Sequence, residues 1–501
     1  MSSFLLSFFI FSPLLGIVLL AFVPKTKERA ARIVGLLGTL LPLGSALFIA
    51  STYASGKSLT MFAEKVKWIQ FGNFPGVEKE LFTIYYELGI DGFSLVMMLL
   101  TALLATLAAI TAFSITKHVK GFYMLLLMLE IGMLGVFAAE NLLLFFVFFE
   151  ITLPAMFLLV GKWGKFSSEK AAYSYLIYNG IGSAILLIAF SILFAKAGTT
   201  NITELQAVLV RGKLTAFGEL LPDSLQLGLF LAIMVAFMIK LPVFPLHRWM
   251  VNVHVQAHPA IVMLHAGVLL KIGAYGIVRF GMGLFPEQFE KFAFVLGILG
   301  VINLLYGALL ALVQTDFRKV LAYSSISHMG IVLIGLAALN AAGMKGALFQ
   351  VVSHGLIAAL LFFLLGIIEQ RFGTSDITKL GGLAKRVPIL SGFLLAGSMA
   401  SLGLPGMSGF VSEFLAFLGL FQAHPILAAA GAIGIILTAV YVLRAVMQVT
   451  FGQRECEAKS DMHGLEYIPV LILLACILII GIVPDVLGEP LRDTLQSLGG
   501  R

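Results

Sequence analysis

The sequence predicts an all-α integral membrane protein of about fourteen transmembrane helices, with two inverted five-helix repeats and proline-broken seventh and twelfth helices. Three observations carry this. Hydrophobic residues make up 60% of the chain and charged residues only 12%, where a soluble protein averages about 25% charged. The mean hydropathy is +1.02. Apolar runs close to the ~20 residues that a span requires recur along the whole chain.

The runs fall at 3–23, 31–52, 93–115, 121–139, 141–162, 171–196, 225–246, 259–280, 291–313, 319–340, 346–370, 388–422, 425–451 and 466–487. The first begins without a basic region, so it reads as a spanning helix and not a cleaved signal peptide. Lys240 in the seventh is followed at once by Pro242 and Pro245, which remove backbone donors and interrupt a helix. The twelfth is long, and Pro405 sits between glycines in SLGLPGMSG. The fourteenth leaves little chain behind it.

Loop charges orient the chain. With the N-terminus outside, the inside loops hold eighteen Lys and Arg, from Lys25 through Arg454 and Lys459. The short outside loops hold five. This excess satisfies the positive-inside rule, and an even span count puts the C-terminus outside too. The chain divides into N-terminal helices (1–118), a first block of five (119–281), a second block of five (290–451) and a last helix (466–487). The fourth member of each block is the one interrupted by proline. Five is odd, so the blocks run through the membrane in opposite senses, and paired broken helices point to an ion site near the midplane.

Composition also excludes functions. A net charge of +7 without a long basic run gives no nucleic-acid patch. The two cysteines, Cys456 and Cys476, are too few for an iron–sulfur cluster. No Walker or dinucleotide glycine motif stands in a strand–loop–helix setting. No cofactor is expected in this chain.

Five ionisable residues lie well inside spans: Glu130, Glu150, Lys240, Lys271 and Glu413. Together they cost on the order of 10–17 kcal/mol, comparable to the stability of a whole fold. Each alone reads equally as a buried ion pair fixing helix register. Five in one chain read as a proton relay. A carboxylate beside a lysine favours both charges while burial disfavours them, so changing the Glu150–Lys240 distance would move a proton. His328 and His354 lie between the Lys271 region and Glu413 in chain order, and an imidazole passes protons between its two nitrogens. Ser324, Ser325, Ser327 and Ser353 flank them as water holders. His254, His258 and His265 crowd one stretch, but their spacing fits no metal site. Asp316, Arg318 and Lys319 read as a solvated turn, and Glu140 as facing the outer interface.

The chain resembles the antiporter-like membrane subunits of proton-pumping NADH:quinone oxidoreductase (complex I), of the subunit M or chain 4 type. The pieces are LLLFFVFFEITLPAMFLLVGKWG, KLPVFPLHRW, LLKIGAYGIVRF, QTDFRKVLAYSSISHMG, SHGLIAALLF and SLGLPGMSGFVSEF. The resemblance implies that Glu150 and Lys240 are the essential pair, Lys271 the central lysine, and Glu413 the glutamate where sister subunits carry lysine. It places His328 and His354 on a water-lined axis, with protons driven by quinone chemistry elsewhere. It implies partners too: sister antiporter-like subunits, small membrane subunits, lipid, protons and water, in the plasma membrane. The chain departs from the pattern at Asn252, where the family has aspartate, at the histidines from His254 to His265, and at Ser174, where lysine is frequent. These bear on the proton access route. A subunit of an Mrp-type Na⁺/H⁺ antiporter is the first rival, and a non-conducting scaffold the second.

Overall fold

The computed structural model describes residues 4–70, 83–165, 167–215, 217–453 and 460–497. Cys456, Arg454 and Lys459 lie outside the described residues. Thirteen described helices are long and apolar enough to cross a membrane. The twelfth span is divided between two shorter apolar helices, Pro388–Ser401 and Ser408–Ala423.

The spans are not equally central. Every residue in the best apolar window of the eighth span, Pro259–Met282, is buried within the protein. The tenth, Phe317–Ala337, and the eleventh, Ala341–Phe372, are nearly as enclosed. The first, second, sixth, thirteenth and fourteenth spans are the least enclosed, and apolar residues such as Phe22, Ile426 and Ile482 lie exposed on or at the ends of them. That outer surface suits lipid or neighbouring membrane subunits.

The two breaks follow from sequence. The seventh span runs as a helix from Asp223 to Lys240 and leaves helical geometry directly after the lysine. It resumes as a short helix, Arg248–Gln256. The expected end at 246 is therefore six residues late, because Pro242 and Pro245 cannot donate to the carbonyls behind them. In the twelfth span Leu402–Met407 is non-helical. Gly403 and Gly406 adopt φ of +71° and +89° there, a region costly for any residue with a Cβ.

Three elements lie outside the predicted class or bounds. Glu64–Gln70 pairs antiparallel with Thr83–Leu88, so one face carries a small hairpin in an otherwise helical chain. A short helix, Ile202–Leu209, packs on the same face. The last span ends at Ile482 and not 487. A separate amphipathic helix, Asp485–Ser497, follows Pro484, burying Leu487, Leu491 and Leu495 at a four-residue spacing.

Candidate functional site

The eighth and eleventh spans touch through glycines. A Cβ on Gly355 would sit 2.8 Å from the Gly267 carbonyl oxygen. This close approach brings together two side chains 83 residues apart. Lys271 Nζ lies 2.6 Å from His354 Nδ1 and donates to the Ala266 carbonyl at 2.6 Å. An ammonium at Nζ makes Nδ1 the acceptor and leaves the ring's other nitrogen protonated. Span eight is wound as a π-helix over His265–Leu269 and Ile277–Met282, on both sides of Lys271. Such turns are rare and gather at functional sites.

The file continues from His354. Its ring centroid is 5.3 Å from that of His328 in the tenth span. His328 Nδ1 sits 2.8 Å from the Ser324 carbonyl oxygen. Its Nε2 sits 3.5 Å from Glu413 Oε1 and 3.3 Å from the Ser401 carbonyl oxygen. Ser401 closes the first half of the broken twelfth span, so its carbonyl has no helical partner ahead of it. Glu413 rides on the second half, which is held close by small residues. A Cβ on Gly346 would be 2.2 Å from the Ala416 nitrogen. Lys271, His354, His328 and Glu413 thus lie in one file across four spans, joined by close polar contacts at its two ends and by ring proximity between the histidines.

The serines divide. Ser324 Oγ is 3.2 Å from His328 Nδ1 and accepts from the Tyr441 hydroxyl at 2.9 Å. Ser353 and Ser408 share a hydroxyl contact at 2.8 Å. Ser325 and Ser327 instead donate to the carbonyls of Leu321 and Leu304.

Lys240 and Glu150 are arranged differently from the expectation of a direct pair. Lys240 Nζ faces the rings of Phe149 and Tyr175, at 4.9 and 5.5 Å. Among the described residues no ion pair closes between it and Glu150 within 4.0 Å, and Glu150 Oε1 is buried without a hydrogen-bond partner. Lys240 ends its helix, where the exposed carbonyls favour a cation.

The break beside Lys240 is pinned by a residue that sequence reasoning passed over. Asn303, fully buried in the ninth span, accepts from the Phe244 nitrogen at 2.7 Å and donates to the Ile326 carbonyl at 3.3 Å. The Trp249 indole donates to the Ile239 carbonyl at 3.1 Å, filling the place of a missing helical donor. A lone asparagine in GVINLLYG is the signal that could have found it.

His254 Nε2 and His265 Nδ1 are 2.9 Å apart and wholly buried. Tyr175 stands edge-on to His265 at 6.0 Å, so this pair adjoins the Lys240 cluster. His258 does not join them. It caps the helix beginning at Pro259, accepting from the Ala260 nitrogen at 3.3 Å. Glu130 stands apart: both carboxylate oxygens are buried with no partner, and it belongs to neither cluster. Among the described residues no group of three or more His, Cys, Asp or Glu side chains could hold a metal.

Arg318 corrects the expectation of a solvated turn. It is 2% exposed. Its Nε and Nη2 both donate to Glu369, and its Nη1 donates to the carbonyls of His254, Val255 and Ala257. It therefore caps the second half of the broken seventh span. Lys165, in the loop after the fifth span, reaches the same carboxylate at 2.7 Å. Burial and the Arg318 charge pull this lysine below its ordinary value. On the opposite face Glu140 binds Arg279, which also holds Asp91 at 2.8 Å.

Residues 139–438 match a family model described as NADH:quinone oxidoreductase/Mrp antiporter, TM. That stretch contains both clusters. The chain belongs to the NADH:quinone oxidoreductase/Mrp antiporter family. A family relative named NAD(P)H-quinone oxidoreductase chain 4 1, from Synechococcus sp. (strain JA-3-3Ab), is 38% identical over 96% of this chain and 90% of its own. NADH-quinone oxidoreductase subunit M of Rhodobacter capsulatus is 35% identical over 98% and 96%. A family chain in the structure of respiratory complex I from Thermus thermophilus with bound NADH superposes with a TM-score of 0.84 at 30% identity. That match covers 99% of this chain and all of the other.

Proposed function

We propose that this chain is the subunit M (chain 4) type membrane subunit of a proton-pumping NADH:quinone oxidoreductase, and that protons cross it along the buried file. It is a multi-pass membrane subunit whose partners are the complex's other membrane subunits. The observation that carries the relay is the succession of neighbouring titratable groups Lys271, His354, His328, Glu413. Lys271 hands a proton to His354 Nδ1, and His354 releases one from Nε2. His328, whose Nδ1 donates to the Ser324 carbonyl, takes up and passes on the proton at Nε2, the nitrogen that faces Glu413. Glu413 receives it beside the second break. Lys240 and Glu150 form the control pair. Bringing the carboxylate nearer favours the ammonium, and separating them releases the proton toward Tyr175 and His265. The non-helical turn held by Asn303 supplies the joint.

In this reading residues 119–281 and 290–451 are inverted halves, each with one broken span. The hairpin face and both termini lie outside the plasma membrane, and the redox chemistry belongs to other subunits. The family description also names Mrp antiporters. The subunit M and chain 4 relatives, matched almost end to end, favour the complex I assignment. Purification from native membranes through a tag on this chain tests it. Co-purifying NADH:quinone oxidoreductase activity is expected. Co-purification of small antiporter subunits without that activity would assign the chain to the rival.

A further inference from the structure

A cleft of about 650 Å³ opens between the second, third, eleventh and fourteenth spans and the C-terminal amphipathic helix. Its walls are almost wholly aliphatic, with Leu47, Leu99, Leu103, Leu356, Ile479 and Val486 along its length. It follows the second span from Leu43 to Ala54, a rise of roughly 16 Å at helical geometry. At the hairpin face it meets a second cavity of about 640 Å³, and the two share Tyr53, Ala54 and Glu489. That second cavity is polar. Lys57 and Arg492 supply cations, Glu489 and Asp493 supply carboxylates, and Ser58 and Thr60 add hydroxyls. Asp91 also lines it but is committed to Arg279.

We propose that the joined cavities bind one phospholipid with a zwitterionic ethanolamine headgroup. The apolar cleft takes an acyl chain. The Lys57 ammonium and Arg492 guanidinium take the phosphate. The Glu489 and Asp493 carboxylates take the primary ammonium, which donates hydrogen bonds that a choline cannot. An anionic phosphatidylglycerol headgroup would offer these carboxylates only neutral hydroxyls, without the charge of an ammonium. A quinone carries no charge for either set.

The floor of the site is built to stay in place. A Cβ on Gly92 would meet the Pro490 carbonyl oxygen at 1.6 Å, so the C-terminal helix lies directly on the third span. The Phe93 nitrogen donates to Thr494 Oγ1 at 3.2 Å, and the Tyr53 hydroxyl donates to the Glu489 carbonyl at 3.4 Å. The lipid would seal the open side of this corner, opposite the relay.

The test uses the full-length protein extracted from native membranes with its partners, washed in detergent, then incorporated in nanodiscs of mixed phosphatidylethanolamine, phosphatidylcholine and phosphatidylglycerol. Lipid retained through re-extraction is measured by mass spectrometry. Wild type is expected to retain phosphatidylethanolamine over the other two. Leu99→Trp and Val486→Trp, which fill the cleft, should lose that retention, as should Lys57→Glu with Arg492→Glu. Variants count only when they assemble to wild-type levels, and the two tryptophan positions guard against one failing to fold. Equal retention of all three lipids, preference for phosphatidylglycerol, carry-through of a quinone in place of lipid, or unchanged retention in the filled variants overturns the proposal.

Discussion

Lys271 Nζ and His354 Nδ1 stand 2.6 Å apart at the centre of the bundle, on two spans that meet through Gly267 and Gly355. A contact this short between a lysine and an imidazole can hold register or pass a proton. Two substitutions separate these roles. Lys271→Arg keeps the charge but cannot release a proton near neutral pH. Both it and Lys271→Met are expected to lower protons pumped per NADH oxidised in vesicles, by the share that this subunit carries, while NADH oxidation continues. Retained pumping in Lys271→Arg would reduce the contact to a structural one.

The Asn303 clamp predicts a coupled loss. Asn303→Leu leaves the Phe244 N–H buried without its acceptor, at a cost of about 1–3 kcal/mol. Thermal stability of the purified protein should fall accordingly. Pumping should fall further than the loss of folded protein accounts for, because the break beside Lys240 loses its fixed geometry. A parallel fall of the two would assign Asn303 a purely structural part.

Two cations share Glu369, and their environments predict unequal effects. Arg318 is buried, so Arg318→Met removes the buried partner of Glu369, leaves it only the half-exposed Lys165, and should cost about 3–5 kcal/mol. Lys165 has a 42% exposed side chain, and Lys165→Met should cost about 0.2–1 kcal/mol. Membrane levels and melting temperature of the two variants check the ordering. Equal effects would contradict the burial argument.

The second half of the twelfth span carries Glu413 and lies against Gly346. Gly346→Ala places a methyl group in that contact, and overpacking of this kind costs about 1–3 kcal/mol. The half-helix should move away from the eleventh span and lengthen the 3.5 Å approach of Glu413 to His328. Reduced pumping with intact NADH oxidation is the expected result.

How far the sequence reached differs from residue to residue. The spans and both breaks were legible because composition and proline act locally. Lys240, Lys271 and Glu413 stood out because a charge in hydrocarbon is costly wherever it sits. Adjacency was not legible: that Lys271 meets His354 depends on glycines in two spans, and no local pattern encodes it. Arg318 was misread because DFRK looks like a wet turn, while its partner Glu369 lies 51 residues on. Glu150 and Lys240 were paired by the chemistry of buried charge and by the family resemblance, but neither shows that the rings of Phe149 and Tyr175 lie against the ammonium. Asn303 and Tyr175 were passed over because they carry no charge. The hairpin was missed because strand Glu64–Gln70 is mostly exposed and lacks an alternating apolar face.

In the proposed relay the Lys240–Glu150 pair controls when protons enter the Lys271–Glu413 file. Proton pumping by vesicles holding the assembled complex with Lys240→Met, measured beside electron transfer from NADH to quinone, tests it most directly. Protons pumped per electron should fall clearly below the wild-type ratio while the subunit still assembles and NADH oxidation continues. Normal pumping at a normal electron-transfer rate would contradict it and leave the chain a scaffold.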